Sequence, residues 1–154
     1  MDDNTIKIIE LEQHETKDVN DGHINGVLTV LWRDWDKIIP INPKMIYISS
    51  VKPNEKKGPH LHKKRNSYFI CIKGKLAFVI KQKNGTYEEI IVSSDKPKLI
   101  VVPKEYASAH INLHDDVSII LALVEPAWRP ENRDEHNITF DDYDWEKWNI
   151  KNHN

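Results

Sequence analysis

Between Met45 and Val124 the chain is a succession of short β-branched and aromatic runs, each cut by glycine, proline or a polar turn before it reaches the length of a helix. Met45–Val51, Tyr68–Lys73, Leu76–Gln82, Tyr87–Val92, Lys98–Val102, Ile111–Leu113 and Val117–Val124 read as strands, and Ile6–Leu11 and Val27–Trp32 precede them. Lys73-Gly74-Lys75 reads as a hairpin turn, Asn84-Gly85 as a second, and Pro103 ends a strand. No segment sustains a helical period, and only Asp142–Trp148 suggests one short helix. About ten short strands at close spacing leave few arrangements, so the chain is expected to be all-β, a barrel or double-sheet jelly roll. A length of 154 residues suits one domain over 1–154 with a real core.

The remaining stretches are polar. His14–Asn20 reads as a loop, Pro40 and Pro43 argue against a helix after the charged Asp34–Lys37, and Lys151–Asn154 is expected to fray. The Ile6–Leu11 run suits an outer strand able to pair with another subunit. A formal net charge of -2 gives no reason to expect a nucleic-acid or membrane partner. The single Cys71 has no internal disulfide partner and sits in an apolar run, as a buried thiol would. No apolar run approaches the roughly 20 residues that cross a bilayer, and a cytoplasmic protein is expected.

The chemistry concentrates in Lys57-Gly58-Pro59-His60-Leu61-His62, just ahead of the Tyr68–Lys73 strand. In an extended segment alternate side chains share a face, so His60 and His62 project together into one cavity while Leu61 points away. The same alternation puts Met45, Tyr47 and Ser49 on one face, with Tyr47 able to look into that cavity. His110 is a third candidate, whereas His14, His23, His136 and His153 read as isolated structural or exposed residues.

Gly58, His60, His62 and Gly74 resemble the first motif of the cupins, and Pro103 to Asn112 resembles the second. Metal-binding cupins place a glutamate a few residues after the histidine pair, where this chain has Asn66 or Ser67. Their third histidine would fall near Ser108, with only His110 displaced by two residues. Two certain histidines make a weak metal site, and neither metal nor cofactor is expected. Lys57 to His62 is similar to the Arg-Gly-x-His segment of dTDP-4-dehydrorhamnose 3,5-epimerases and to the Gly-Gly-His-Ala-His segment of dTDP-sugar 3,4-ketoisomerases. Trp128-Arg129-Pro130-Glu131 and Ile138 to Trp145 are similar to the epimerase tail.

That resemblance implies a homodimer that binds a nucleotide-linked keto sugar. A ketone at C4 acidifies the C3 hydrogen, and a neutral histidine can remove it near pH 7. The resemblance makes His60 the base, Asp142 or else Asp141 the carboxylate orienting it, and His62 a second proton carrier. Lys57 stands where these families often have an arginine for the diphosphate, ahead of Lys63-Lys64-Arg65, which reads as a solvated turn. Tyr47, Tyr106 or Trp32 would stack on the nucleotide, and Tyr47, Tyr68 and Tyr106 are substitute acids. Trp128 falls where the 3,5-epimerases have their acidic tyrosine, and Ser67 where they have a lysine. The expectation is epimerisation, with 3,4-ketoisomerisation next, then a metal-dependent cupin enzyme or a non-catalytic carbohydrate-binding cupin.

Overall fold

The structure, a computed structural model, describes residues 4–36 and 42–150. The expectations for Lys37, Pro40 and Lys151–Asn154, His153 included, lie outside the described residues. Twelve strands are formed among them: β1 (Lys7–Glu10), β2 (Gln13–Lys17), β3 (Ile24–Thr29), β4 (Met45–Val51), β5 (Lys56–His62), β6 (Asn66–Lys73), β7 (Lys75–Lys81), β8 (Tyr87–Ser93), β9 (Lys98–Val102), β10 (Ala107–Asn112), β11 (Ser118–Glu125) and β12 (Glu135–Asn137). They build two antiparallel five-stranded sheets, ordered β1-β9-β6-β11-β4 and β12-β5-β10-β7-β8, beside a separate β2-β3 hairpin. This is the expected jelly-roll architecture. The expected helix is reduced to a 3₁₀ turn at Glu146–Trp148.

Two local readings change. Lys73-Gly74-Lys75 is not a hairpin, because β6 pairs with β9 and β11 while β7 pairs with β8 and β10. The chain crosses between sheets there. Gly74 makes the corner at φ +82°, and a Cβ would run into the Ser118 side chain, so only glycine fits. The His14–Asn20 loop is in part β2, a polar strand whose partner β3 supplies the β-branched residues. Asn84-Gly85 does form the β7–β8 hairpin, with Gln82 N donating to the Thr86 carbonyl at 2.7 Å.

Alternation along each strand sorts the core. Phe69, Cys71, Leu76, Phe78, Ile80, Ile100 and Ile120 point between the two sheets and are nearly solvent-free. Each large apolar side chain so buried stabilises the fold by roughly 1.5–3 kcal/mol. The Cys71 thiol lies in this layer, and desolvation pushes its pKa up to about 11. Opposite-parity residues face outward and are covered by the ends of the chain. Tyr68, Ile70, Leu99 and Val101 pack under Ile9, Leu11 and Trp32, while Ala77, Val79 and Ile111 pack under Phe140, Tyr143, Trp145 and Trp148. β1 is indeed an outer strand, bonded within this chain to β9. The buried Asn112 ties the closed end together, its Nδ2 donating to the Val51 and Asp116 carbonyls at 2.9 and 2.8 Å. The other end of the intersheet space stays open.

Candidate active site

That opening leads into a cavity of about 410 Å³ between the sheets. β4 contributes Met45, Tyr47 and Ser49, β5 contributes Lys57, His60 and His62, and β10 contributes Ser108 and His110. Tyr106, Trp128, Arg65 and Glu135 add to its polar and aromatic lining. Seven of the eight residues expected at the site therefore do meet in one space; Asp142 does not. Gly58 is what lets β5 approach β10 here. It adopts φ +86°, and an added Cβ would lie 2.8 Å from the Ser108 carbonyl oxygen, beside a register shift between Ser108 and His110.

The three histidines differ in state. His60 Nδ1 lies 2.9 Å from Asn137 Oδ1 and 3.0 Å from Glu135 Oε1. Both are acceptors, so in the neutral ring Nδ1 carries the hydrogen and Nε2 holds the lone pair. His62 Nδ1 donates to the Asp134 carbonyl at 2.9 Å, and its Nε2 accepts from Arg65 Nη2 at 2.8 Å. Burial first, and then the Arg65 charge, lower the His62 pKa to about 4, so this imidazole is neutral and fully engaged at neutral pH. His110 forms the floor, edge-on to Phe69 and tilted against Phe78. Its Nε2 is hidden without a partner, and desolvation, aided by His60 and Lys57, pushes its pKa down to about 3.

Several expectations are corrected by these contacts. Asp142 sits on the outer face of the second sheet, accepting from the Tyr87 hydroxyl and lying 3.5 Å from Lys81 Nζ. Asn137 and Glu135 occupy the place beside His60 that the resemblance had given to Asp142. Trp32 packs under the first sheet and Tyr68 is buried on that same outer face, so neither reaches the cavity. The Tyr106 hydroxyl donates to the Asn4 carbonyl at 3.1 Å. Lys57 Nζ donates to Ser49 Oγ at 2.6 Å on the exposed side of the cavity.

Arg65 is not part of a solvated turn. The Asp134 carboxylate accepts from the backbone N–H groups of Lys63, Lys64 and Arg65 at 3.0, 2.9 and 3.0 Å. Burial works to raise the Asp134 pKa, but these three donors outweigh it and hold the group below its usual range. The fixed turn sends Arg65 inward, while Lys63 and Lys64 stay exposed. Strand parity was the signal that could have found it, since Arg65 is in phase with Ser67 and Phe69. No comparable signal marks Asp134, Glu135 and Asn137. β12 is three polar exposed residues whose position exists only through pairing with β5.

Among the described residues no three metal-ligating side chains of the cavity lie close enough to share an ion. A guanidinium donates to His62 Nε2, and the other His62 nitrogen is spent on a carbonyl. Among the described residues the group of metal-ligating side chains close enough to share an ion is Asp18, Asp21 and His23, on the exposed β2–β3 turn.

Known structures share the architecture. The chain matches the capsular polysaccharide assembling protein CapF of Staphylococcus aureus at 24% identity and TM-score 0.60, over 63% of this chain and 29% of that one. It thus spans less than a third of CapF. The 3,4-ketoisomerase QdtA of Thermoanaerobacterium thermosaccharolyticum, solved in complex with TDP-4-keto-6-deoxyglucose, matches at 20% identity and TM-score 0.67, over 88% of each chain. NovW of Streptomyces spheroides, a 4-keto-6-deoxy sugar epimerase, matches at 14% identity and TM-score 0.68, over 86% of this chain and 68% of its own. At these identities the likeness establishes the fold. No curated protein sequence gives a significant match. The family model for FdtA, described as WxcM-like, C-terminal, matches residues 4–143, from before the first strand to beyond β12. With nearly its whole length inside that match, the chain belongs to the FdtA (WxcM-like, C-terminal) family.

Proposed function

We propose that this protein is a sugar-nucleotide isomerase that moves the ketone of a dTDP-linked 4-keto-6-deoxyhexose between C4 and C3. The observation that carries the reading is the state of His60. Its Nδ1 is committed to Asn137 and Glu135, which leaves Nε2 with a lone pair in a cavity of the size that takes small molecules. The C3–H bond breaks, the proton goes to His60 Nε2, and the electron pair forms the C3=C4 bond as the carbonyl pair moves onto O4. The O3 hydroxyl proton then passes to O4, and His60 returns its proton to C4, leaving the ketone at C3. One base on one face completes this exchange without an oxidant.

Inversion at a carbon asks for more, a donor on the opposite face. Trp128 stands where the 3,5-epimerase pattern has its tyrosine, and an indole does not exchange a proton in that role. His62 has both nitrogens engaged, and Tyr106 is tied to Asn4. The match to a 3,4-ketoisomerase over 88% of each chain is consistent with this order, with epimerisation kept as the second reading. What favours epimerisation is Tyr47, a phenol in the cavity whose pKa is raised chiefly by desolvation, so that it keeps its proton.

Proton NMR of the protein with dTDP-4-keto-6-deoxyglucose in deuterated water tests the reading. The expected result is a ketone moved to C3, with C4 carrying either the hydrogen taken from C3 or, where the His60 imidazolium exchanges with solvent before returning it, deuterium. Deuterium at C3 or C5 with the ketone still at C4 would replace the reading by epimerisation. Binding without exchange would leave a carbohydrate-binding cupin, and turnover that tracks retained metal would identify a metal-dependent enzyme.

A further inference from the structure

Although Glu135 lines the same cavity, among the described residues the guanidinium of Arg65 has no carboxylate within ion-pair distance. Its hydrogen-bonding neighbours are neutral, His62 Nε2 at 2.8 Å and the Tyr47 hydroxyl at a long 3.5 Å. Its Nε is hidden from solvent and has no partner at all. An arginine stays charged at any working pH, and enclosing that charge is costly unless a negative charge meets it. Elsewhere in this molecule a partly enclosed guanidinium does meet one: Arg33, whose Nε is likewise hidden without a partner, pairs through Nη2 with Glu12 and Asp36, both at 2.7 Å. The missing negative charge at Arg65 points to the ligand.

Position decides which part of the ligand. His62, which holds Arg65, shares a strand face with His60 two residues away, a separation of about 7 Å along β5. The guanidinium therefore reaches the same edge of the sugar as the base. The diphosphate leaves from C1, across the ring from C3 and C4, and the exposed Lys57 is better placed for it. Negative charge arises at the C3–C4 edge only as the C3 proton departs, when the carbonyl becomes an enolate.

We infer that Arg65 donates hydrogen bonds to the oxygen that becomes negative as His60 removes the adjacent proton, and that His62 is the residue positioning it. The inference rests on the isomerase reading above. His62 suits the positioning role because Nδ1–H is anchored on the Asp134 carbonyl, which fixes the ring and turns the Nε2 lone pair toward Arg65. Asp134 adds the second hold, through the backbone of the turn. Base and anion site are thereby carried on one continuous wall, from β5 through the 63–65 turn. The chemistry stays balanced, since Arg65 donates hydrogen bonds throughout and gives up no proton.

Steady-state kinetics on dTDP-4-keto-6-deoxyglucose, with calorimetric binding of dTDP and a thermal-unfolding check, test it in Arg65→Gln, Arg65→Lys, His62→Leu and His62→Gln. Loss of one donor to a developing oxyanion costs about 10²–10³-fold in kcat. That loss is expected for Arg65→Gln, with KM and the dTDP Kd within about threefold of the parent, because the interaction is made only in the transition state. Arg65→Lys should recover part of the rate through its charge. His62→Leu should lower kcat, and His62→Gln, which retains an acceptor for the guanidinium, should restore most of it. A raised dTDP Kd with unchanged kcat in Arg65→Gln would move Arg65 to the diphosphate and overturn the inference, as would an unchanged kcat in Arg65→Gln. Parent protein that shifts no ketone would remove the isomerase reading and this inference together, whereas an active parent with an indifferent Arg65→Gln removes the inference alone.

Discussion

On the inner face of β5 and β10, His110 Nε2 is hidden with no partner, as is Arg65 Nε on the adjoining turn. On the outer face of the same sheet, beneath the C-terminal segment, a cluster equally rich in aromatic and charged side chains has its polar groups paired. The Asp142 carboxylate accepts from Tyr87, Tyr143 donates to Glu89 at 2.6 Å, Trp148 Nε1 donates to Tyr143 at 2.7 Å, and Lys147 Nζ meets both Glu89 oxygens. Composition alone would rate the two clusters alike. Satisfaction separates them, because a buried polar group without a partner is costly and, where it lines an open cavity, is available to a ligand or water. The outer cluster uses its polar atoms to clamp the chain end; the inner one keeps some in reserve.

Substitutions can break or sharpen that contrast. The largest effect belongs to His60→Asn, which should lower turnover by about 10²–10⁴-fold, the range for a lost general base, with the unfolding midpoint little changed. Activity within tenfold of the parent would remove His60 from the reaction. Lys57→Ala comes next. A lost hydrogen bond to a charged phosphate should raise the nucleotide-sugar Kd about tenfold or more, and an unchanged Kd would clear Lys57 from the site.

The reserve of neutral imidazoles also has a pH signature. His62 and His110 titrate in the fold at about 4 and about 3, below the 6.5 usual for histidine, so between those limits the unfolded chain binds more protons. Unfolding free energy should therefore fall as pH drops from about 6.5 toward 4, by at most about 1.4 kcal/mol per pH unit for each group. Denaturant titrations at pH 7 and 4.5 read this directly, and His110→Phe should flatten the fall. A slope that persists unaltered in His110→Phe would assign it to other groups. The smallest effect is expected of Asp142→Asn, with turnover within about twofold, as for an exposed surface pair. A large loss of kcat there would return Asp142 to the catalytic role that the resemblance implied.

Much of the β framework was legible because each strand is a local event. Runs such as Met45–Val51 and Lys98–Val102 carry β-branched residues bounded by turn signals, and the structure reproduces both spans. The cavity residues Tyr47, Lys57, His60, His62, Tyr106, His110 and Trp128 were legible for a related reason: strand parity, or a motif, places them on one side. Asp142 failed because a carboxylate near the end of a chain has no local mark of the face on which its segment will lie. Trp32 failed in the same way, since its destination depends on how the β2–β3 region folds back over the first sheet.

Local patterns in the chain thus determined an all-β sandwich, the pairing of His60 with His62 on one face, and the glycines at 58 and 74 that let strands approach and turn. The tertiary structure alone decided that β6 and β7 belong to different sheets, that β12 brings Asn137 and Glu135 to His60, and that Asp134 turns Arg65 inward. The physical reason is range. Alternation and turn chemistry act over a few residues, whereas the contact of His60 with Asn137 spans 77 residues and that of Asp134 with Arg65 spans 69, and such contacts exist only once the sheets have packed.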